Sequence, residues 1–369
     1  MDFRLTDQQE LLVATARDFL ARRCPPDVVQ ALAHDDRGFS EDLWKEASAL
    51  GWPGLLIPAR LGGSDGSWLD VVVLLEEMGR VCFPSPYIQS AVVATSLILA
   101  AGTRAEHERL LPPMALGDRL CAVALVEESA AFEPEALTLR GDVGSTLSGR
   151  KLFVKDAHVA HDLIVVARGG GGFNLLLLAT DRPGVDLLPM ETISGEKLFE
   201  VVFSDVEVRR EDLLGPPGRG WEALVPSLAA GALARSAEMV GCAQRILDLA
   251  VDYAKVRVQL GRPIGSFQAI QHYCADLVRS VEAARYLVYH AAWKMEAGFP
   301  STAEVAMAKA YAGDACLAVA RTGHQILGAI GYCEEHPLHL FHKRIQAARL
   351  DFGDPGLHLE TVAQAIGLA

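Results

Sequence analysis

The stretch RVQLGRPIGSFQAIQ, residues 257–271, decides the architecture. It follows a segment in which Met239, Ala243, Ile246, Leu247, Ala250 and Tyr253 recur at helical spacing, so it ends one long helix and opens another. Gly261 and Pro263 turn the chain, and Phe267, Gln268 and Gln271 begin the next helix. An arginine at such a break, Arg257, offers a fork of donors suited to phosphate oxygens. A helix hairpin with a solvated arginine has the same spacing. Spacing alone leaves both readings open.

Upstream, residues 1 to about 115 read as helices. Thr6 with Gln9 is a capping-box signal, Pro25-Pro26 stops the helix it starts, Ser40 opens another, and Gly51 suits its C-terminal cap. SWLDVVVLLEEMGRV and SAVVATSLILAAG supply two more, the second apolar enough to be buried. From about Leu120 the pattern becomes short β-rich runs: RLCAVALVEE, STLSGRKLFVKD, DLIVVAR, FNLLLLATD and FEVVFSDVEV. After GPPGRGW helix returns and continues, with long periodic runs at ADLVRSVEAARYLVYHAAWKMEAG and STAEVAMAKAYAGDACLAVARTGHQILGAIG. The expected division is a helical domain over 1–117, a β-domain over 118–217 and a helical bundle over 218–369.

Half of the 369 residues are hydrophobic and 22% are charged, enough for a sizeable core. The net charge of −13 argues against a nucleic-acid surface and against acidic membranes. The N-terminus shows no signal-peptide pattern, and no apolar run reaches the length of a membrane span, so a cytoplasmic location is expected. The seven cysteines are scattered without a CxxC pair, which indicates neither a disulfide framework nor a zinc site.

Other chemistry-bearing features are weaker. RGGGGFN (168–174) is not followed by a helix and lacks the Lys-Ser/Thr of a phosphate cradle, so it reads as a hairpin loop. His336, His339 and His342 lie three apart, a spacing that drifts around a helix, and read as surface or packing residues rather than zinc ligands. Glu127-Glu128 are strand neighbours that point to opposite faces, and solvation is the default for most of these two and Glu334-Glu335. There is no GxSxG elbow and no evidently activated cysteine. No catalytic and no metal-binding residue emerges from pattern alone.

Three segments carry a resemblance. YAKVRVQLGRPIGSFQAIQH is similar to Y-A-x-x-R-x-Q-F-G-x-P-I-x-x-F-Q-x-I-Q of the acyl-CoA dehydrogenases, HQILGAIGYCEEHPL to their Q-x-x-G-G-x-G-Y-x-x-E-x-P, and LSGRKLFVKDAHVAHDLIVVA to a strand pair of their β-domain. The resemblance covers nearly the whole chain. It implies a mainly α fold with a central β-barrel or sandwich domain and a C-terminal four-helix bundle. It also implies FAD shared at a subunit interface, with α-proton abstraction by a glutamate and β-hydride transfer to the flavin. Arg257 then matches the arginine that reaches the partner's FAD pyrophosphate, and Gln259, Phe267, Gln268, Ile270, Gln325 and Gly328 match positions lining that cofactor, with Ala329 replacing one glycine.

The chain's own half of the site departs from the family. T-E-P-x-A-G-S-D reads VEESAAFE, so the flavin-contacting threonine becomes Val126 and the G-S pair Ala131-Phe132. W-I-T/S becomes Phe153-Val154-Lys155, expected to fill or charge the ring pocket. The catalytic glutamate falls on Phe352, and the alternative position used by some members falls near Gly231, with Ala232 where an arginine is expected. Glu238 lies two turns further along that helix.

These departures favour a base-less subunit of an α2β2 acyl-CoA dehydrogenase that completes a partner's FAD site in trans. Such enzymes act on bulky side chains such as those of steroids, and the ending LDFGDP resembles their chains. The alternatives are a self-sufficient homo-oligomeric dehydrogenase with a divergent site, using Glu238 or another carboxylate, and a non-catalytic acyl-CoA-binding protein.

Overall fold

The computed structural model describes residues 4–368 and is mainly α with a central β-domain. The chain begins with α1 (Asp7–Arg23), α2 (Pro26–His34), α3 (Glu41–Ala49), α4 (Trp68–Gly79), α5 (Thr95–Ala101) and α6 (Arg104–Ala115). The strands β1 (Cys121–Ala124), β2 (Thr146–Lys155), β3 (Asp162–Gly169), β4 (Gly172–Ala179), β5 (Val185–Met190) and β6 (Leu198–Glu207) follow. Then come α7 (Gly220–Val256), a short ribbon of β7 (Val258–Gln259) and β8 (Arg262–Pro263), α8 (Gln268–Glu296), α9 (Thr302–Leu327), α10 (Leu338–Leu350) and α11 (Pro355–Ala365).

Local capping signals set several of the helix starts. Thr6 and Gln9 form the reciprocal capping box of α1, and Ser40 accepts from the Leu43 amide to cap α3. A second capping box, Thr103 with Glu106, opens α6, which accommodates Pro112-Pro113 near its end. Ahead of α5, Tyr87–Ala94 is π-helical and wholly buried, a deviation with no pattern to announce it. β5, an edge strand with Pro189, was also not anticipated.

The chain divides into two compact units, one of Leu32–Ser67 and Pro84–Gly231, the other of Met1–Ala31, Trp68–Phe83 and Ala232–Ala369. The first holds two three-stranded sheets, β1-β3-β4 and β2-β6-β5. Leu163, Val165, Leu176 and Leu178 face Leu147, Val154, Val201 and Phe203 in one core. Ile164, Val166, Leu175 and Leu177 on the opposite face pack with Leu97, Ile98, Leu110 and Leu111. β3 and β4 are thus covered on both sides, which is why DLIVVAR and FNLLLLATD are continuous apolar runs. RGGGGFN closes the β3–β4 hairpin, with Gly169 paired to Gly172.

In the second unit α9 packs against α8, α10 and α11, and α1 against α4. The α4–α7 crossing is closer than side chains allow. A Cβ on Gly79 would meet the Glu238 carbonyl oxygen at 2.2 Å, and one on Gly241 would meet that of Glu76 at 2.0 Å. Among the described residues no helix is long and apolar enough to cross a membrane.

Candidate functional site

α7 gives its last helical hydrogen bond at Arg257, whose amide donates to the Tyr253 carbonyl at 2.8 Å. The chain reverses through Leu260 and Gly261, both at positive φ, as Val258 pairs with Pro263 and Gln259 with Arg262. The Arg262 guanidinium sits over the Phe267 ring at 4.2 Å, fixing the entry into α8. α8 begins at Gln268 without a side-chain cap, so the Gln268 and Ala269 amides remain available beside the break, while the Ile270 amide donates to the Phe267 carbonyl at 3.0 Å. Arg257, Gln259 and Gln268 are exposed, and the Arg257 guanidinium has no hydrogen bond or ion pair with any described residue. Phe267 and Ile270 are half-buried. Around them Val256, Val258 and Leu260 expose 73%, 53% and 89% of their surface, an apolar rim suited to a subunit contact.

The second motif lies at the end of α9. Gln325 is exposed, and Gly328 takes φ 66 and ψ −141 with open space where a Cβ would be, a conformation that only glycine holds without strain. Among the described residues no hydrogen bond or ring contact links Gln325 and Gly328 to the Arg257 hairpin. Beneath them His324 is 4% exposed and stacks on Tyr332 at 4.6 Å, with His342 at 4.9 Å. Burial, and then the neighbouring histidines, push its pKa down to about 4. No group of three or more His, Cys, Asp or Glu among the described residues is arranged to hold a metal ion.

The His324 shift has a testable sign. Its folded pKa, about 4, lies below its ordinary 6.5, so the unfolded chain binds more protons between them. The associated stability is complete above pH 6.5 and is lost as pH falls through 4. Thermal unfolding across that window is expected to weaken less in His324→Phe, which keeps the stack on Tyr332. Equal pH slopes for the two proteins contradict this.

Phe352, the position expected for the base, follows α10 with φ 56. Its neighbour Asp351 accepts from Arg235 Nε at 2.8 Å, and its side chain is 27% exposed. Arg235, 2% exposed, also pairs with Glu238, whose other oxygen accepts from Arg344 Nη1 at 2.7 Å. Glu238 is therefore clamped between two guanidiniums, which occupy both of its oxygens. That is the setting of a structural ion pair rather than of a base poised for a proton. The turn itself is pinned from below. Lys309, fully buried, donates to the Arg349 and Gly353 carbonyls at 2.8 Å each, and burial lowers its pKa to about 8. Gly231 and Ala232 are buried within α7.

In the β-domain Val126 accepts from the Leu152 amide at 2.8 Å. Glu127 and Glu128 lie in the irregular segment after β1 rather than in a strand, with Glu127 buried and Glu128 exposed. Glu127 is buried rather than solvated, because Lys151 donates to it at 2.7 Å and the Thr138 amide and hydroxyl at 2.7 Å each. Burial opposes its ionisation, and these bonds outweigh it, holding the carboxyl below its ordinary range. Glu128 is exposed beside Arg150. Ala131 and Phe132 are half-buried. Phe153, at positive φ in the irregularity between Lys151 and Val154, stays 46% exposed. Lys155 corrects the expectation of a charged pocket, since its ammonium donates to Glu196 at 2.7 Å and both side chains are buried.

Comparison with known proteins covers the chain from end to end. Residues 6–118 match the acyl-CoA dehydrogenase N-terminal domain, and residues 218–367 the C-terminal domain. A short-chain-specific acyl-CoA dehydrogenase of Megasphaera elsdenii is 33% identical over 356 residues, covering 92% of each chain. The butyryl-CoA dehydrogenase structure from the same organism superposes with a TM-score of 0.93 at 29% identity, over 99% of this chain and 100% of that one. A chain of the ChsE4–ChsE5 complex of Mycobacterium tuberculosis superposes with a TM-score of 0.90 at 25% identity over the whole of both chains. The chain belongs to the acyl-CoA dehydrogenase family.

Proposed function

We propose that this chain forms a homo-oligomeric, FAD-dependent dehydrogenase that introduces an α,β double bond into a short acyl-CoA thioester. The observation that carries this reading is Arg257, an exposed guanidinium without a partner in its own chain, beside the uncapped start of α8. FAD is the family's cofactor, and this donor set fits its pyrophosphate end: a cationic fork, free helix amides, exposed amides of Gln259, Gln268 and Gln325, and room at Gly328. The apolar rim around the hairpin supports an interface between subunits, so that each chain holds part of its neighbour's cofactor. When bound, FAD supplies the acceptor for the β-hydride.

The chain itself must take the α-proton. With Phe352 in the expected place and Glu238 clamped, we assign that proton to Asp351, the carboxylate of the same turn, oriented by Arg235. Asp351→Asn is expected to lower turnover by roughly 100-fold or more while FAD content is retained. Unchanged turnover removes Asp351 from the reaction.

A second reading has its own support. Phe352, the occupied Glu238 and the loss of hydroxyls at Val126 and Lys155 favour a subunit that serves an unlike partner's FAD site, and the ChsE4–ChsE5 complex is among the similar structures. Flavin counted per purified chain separates the two. The homo-oligomer carries one flavin per chain, whereas the in-trans subunit is colourless until mixed with its partner.

A further inference from the structure

A cavity of about 300 Å³ lies between the C-terminal half of α1, the end of α4, and helices α7 and α10. Its charges are unequally matched. Glu77 gives both carboxylate oxygens to Arg17, at 2.9 and 2.6 Å, and Arg80 closes on Asp248 at 2.7 Å. The third arginine of the lining, Arg245, is half-buried and has no hydrogen bond or ion pair with any described residue. The remaining wall is apolar and includes Leu20, Pro25 and Phe341. The Cys24 thiol in it is pushed up to about 12 by burial and adds no charge. A guanidinium held partly out of water without an anion is costly, and an apolar wall beside it lowers the cost of burying a hydrocarbon chain.

We propose that this cavity binds an aliphatic monocarboxylate of medium length, with its carboxylate on Arg245 and its chain against Leu20, Pro25 and Phe341. The volume, at the lower end of the ~300–1,000 Å³ range of small-molecule sites, excludes a CoA thioester. A fully hydrated anion such as phosphate gains nothing from the apolar wall. The site involves none of the residues assigned to FAD or to proton transfer.

The test is calorimetric titration of the purified full-length protein with octanoate, octan-1-ol and inorganic phosphate. Octanoate is expected to bind once per chain, at least tenfold more tightly than either of the others. Arg245→Met, which keeps the stem and removes the charge, is expected to weaken octanoate at least tenfold. Ala21→Phe, a change on the exposed face of α1 that fills the mouth of the cavity, is expected to abolish binding and serves if Arg245→Met does not fold. Saturating butyryl-CoA is expected to leave octanoate binding intact. Equal affinity for octan-1-ol or phosphate, binding unchanged in both variants, or displacement by butyryl-CoA overturns the proposal.

Discussion

Arg257→Ala is expected to weaken FAD binding by roughly ten- to a hundredfold, the loss of a charge-assisted hydrogen-bonding group worth ~1.5–3 kcal/mol. The guanidinium stands where α7 ends, free of partners among the described residues, so removing it sacrifices no bond within the fold. Folding should therefore be nearly unaffected while cofactor retention falls. Arg257→Lys keeps the charge but not the planar fork, and an intermediate loss is expected. Flavin released per chain on dialysis, measured alongside the unfolding midpoint, reads both effects. Unchanged retention in Arg257→Ala contradicts the assigned role.

Glu238→Ala has the opposite signature. It strips the anion shared by the buried Arg235 and Arg344 at a helix crossing where Gly79 and Gly241 allow no adjustment. A loss of about 3–5 kcal/mol of stability is expected. Asp351 retains Arg235, so Arg344 is the side chain left most exposed to this change. Glu238→Gln, which keeps the shape and one acceptor, should unfold less readily than Glu238→Ala and should sustain turnover in the flavin-loaded protein. Were Glu238 the base, Glu238→Gln would abolish turnover instead. Chemical denaturation together with single-turnover flavin reduction separates the outcomes.

What local pattern carries, the sequence made legible. The 257–271 break, the capping box at Thr6, the cap at Ser40 and the strand runs of β3 and β4 are all short-range periodicities or spacings, and the structure reproduces them. The site's electrostatics are different in kind. Glu238 meets Arg344 across 106 residues, Arg235 meets Asp351 across 116, and Lys155 meets Glu196 across 41, separations at which no periodicity survives. For that reason Glu238 looked like a stray carboxylate two turns from where a base belongs, and Lys155 like a charge thrust into a ring pocket. Asp351 stands one residue before the aligned base position, where the family pattern assigns no carboxylate. A signal was available there, since an Asp next to the expected base position is a carboxylate in the right turn. The π-helical stretch Tyr87–Ala94 carries no spacing that distinguishes it from an α-helix.

On the proposed reading this chain, by itself, is an FAD-dependent acyl-CoA dehydrogenase. The most direct measurement is the visible spectrum of the purified chain, taken anaerobically before and after addition of butyryl-CoA. One flavin per chain that bleaches on addition is the predicted result. A colourless chain that neither binds FAD nor reduces it with the thioester contradicts the account.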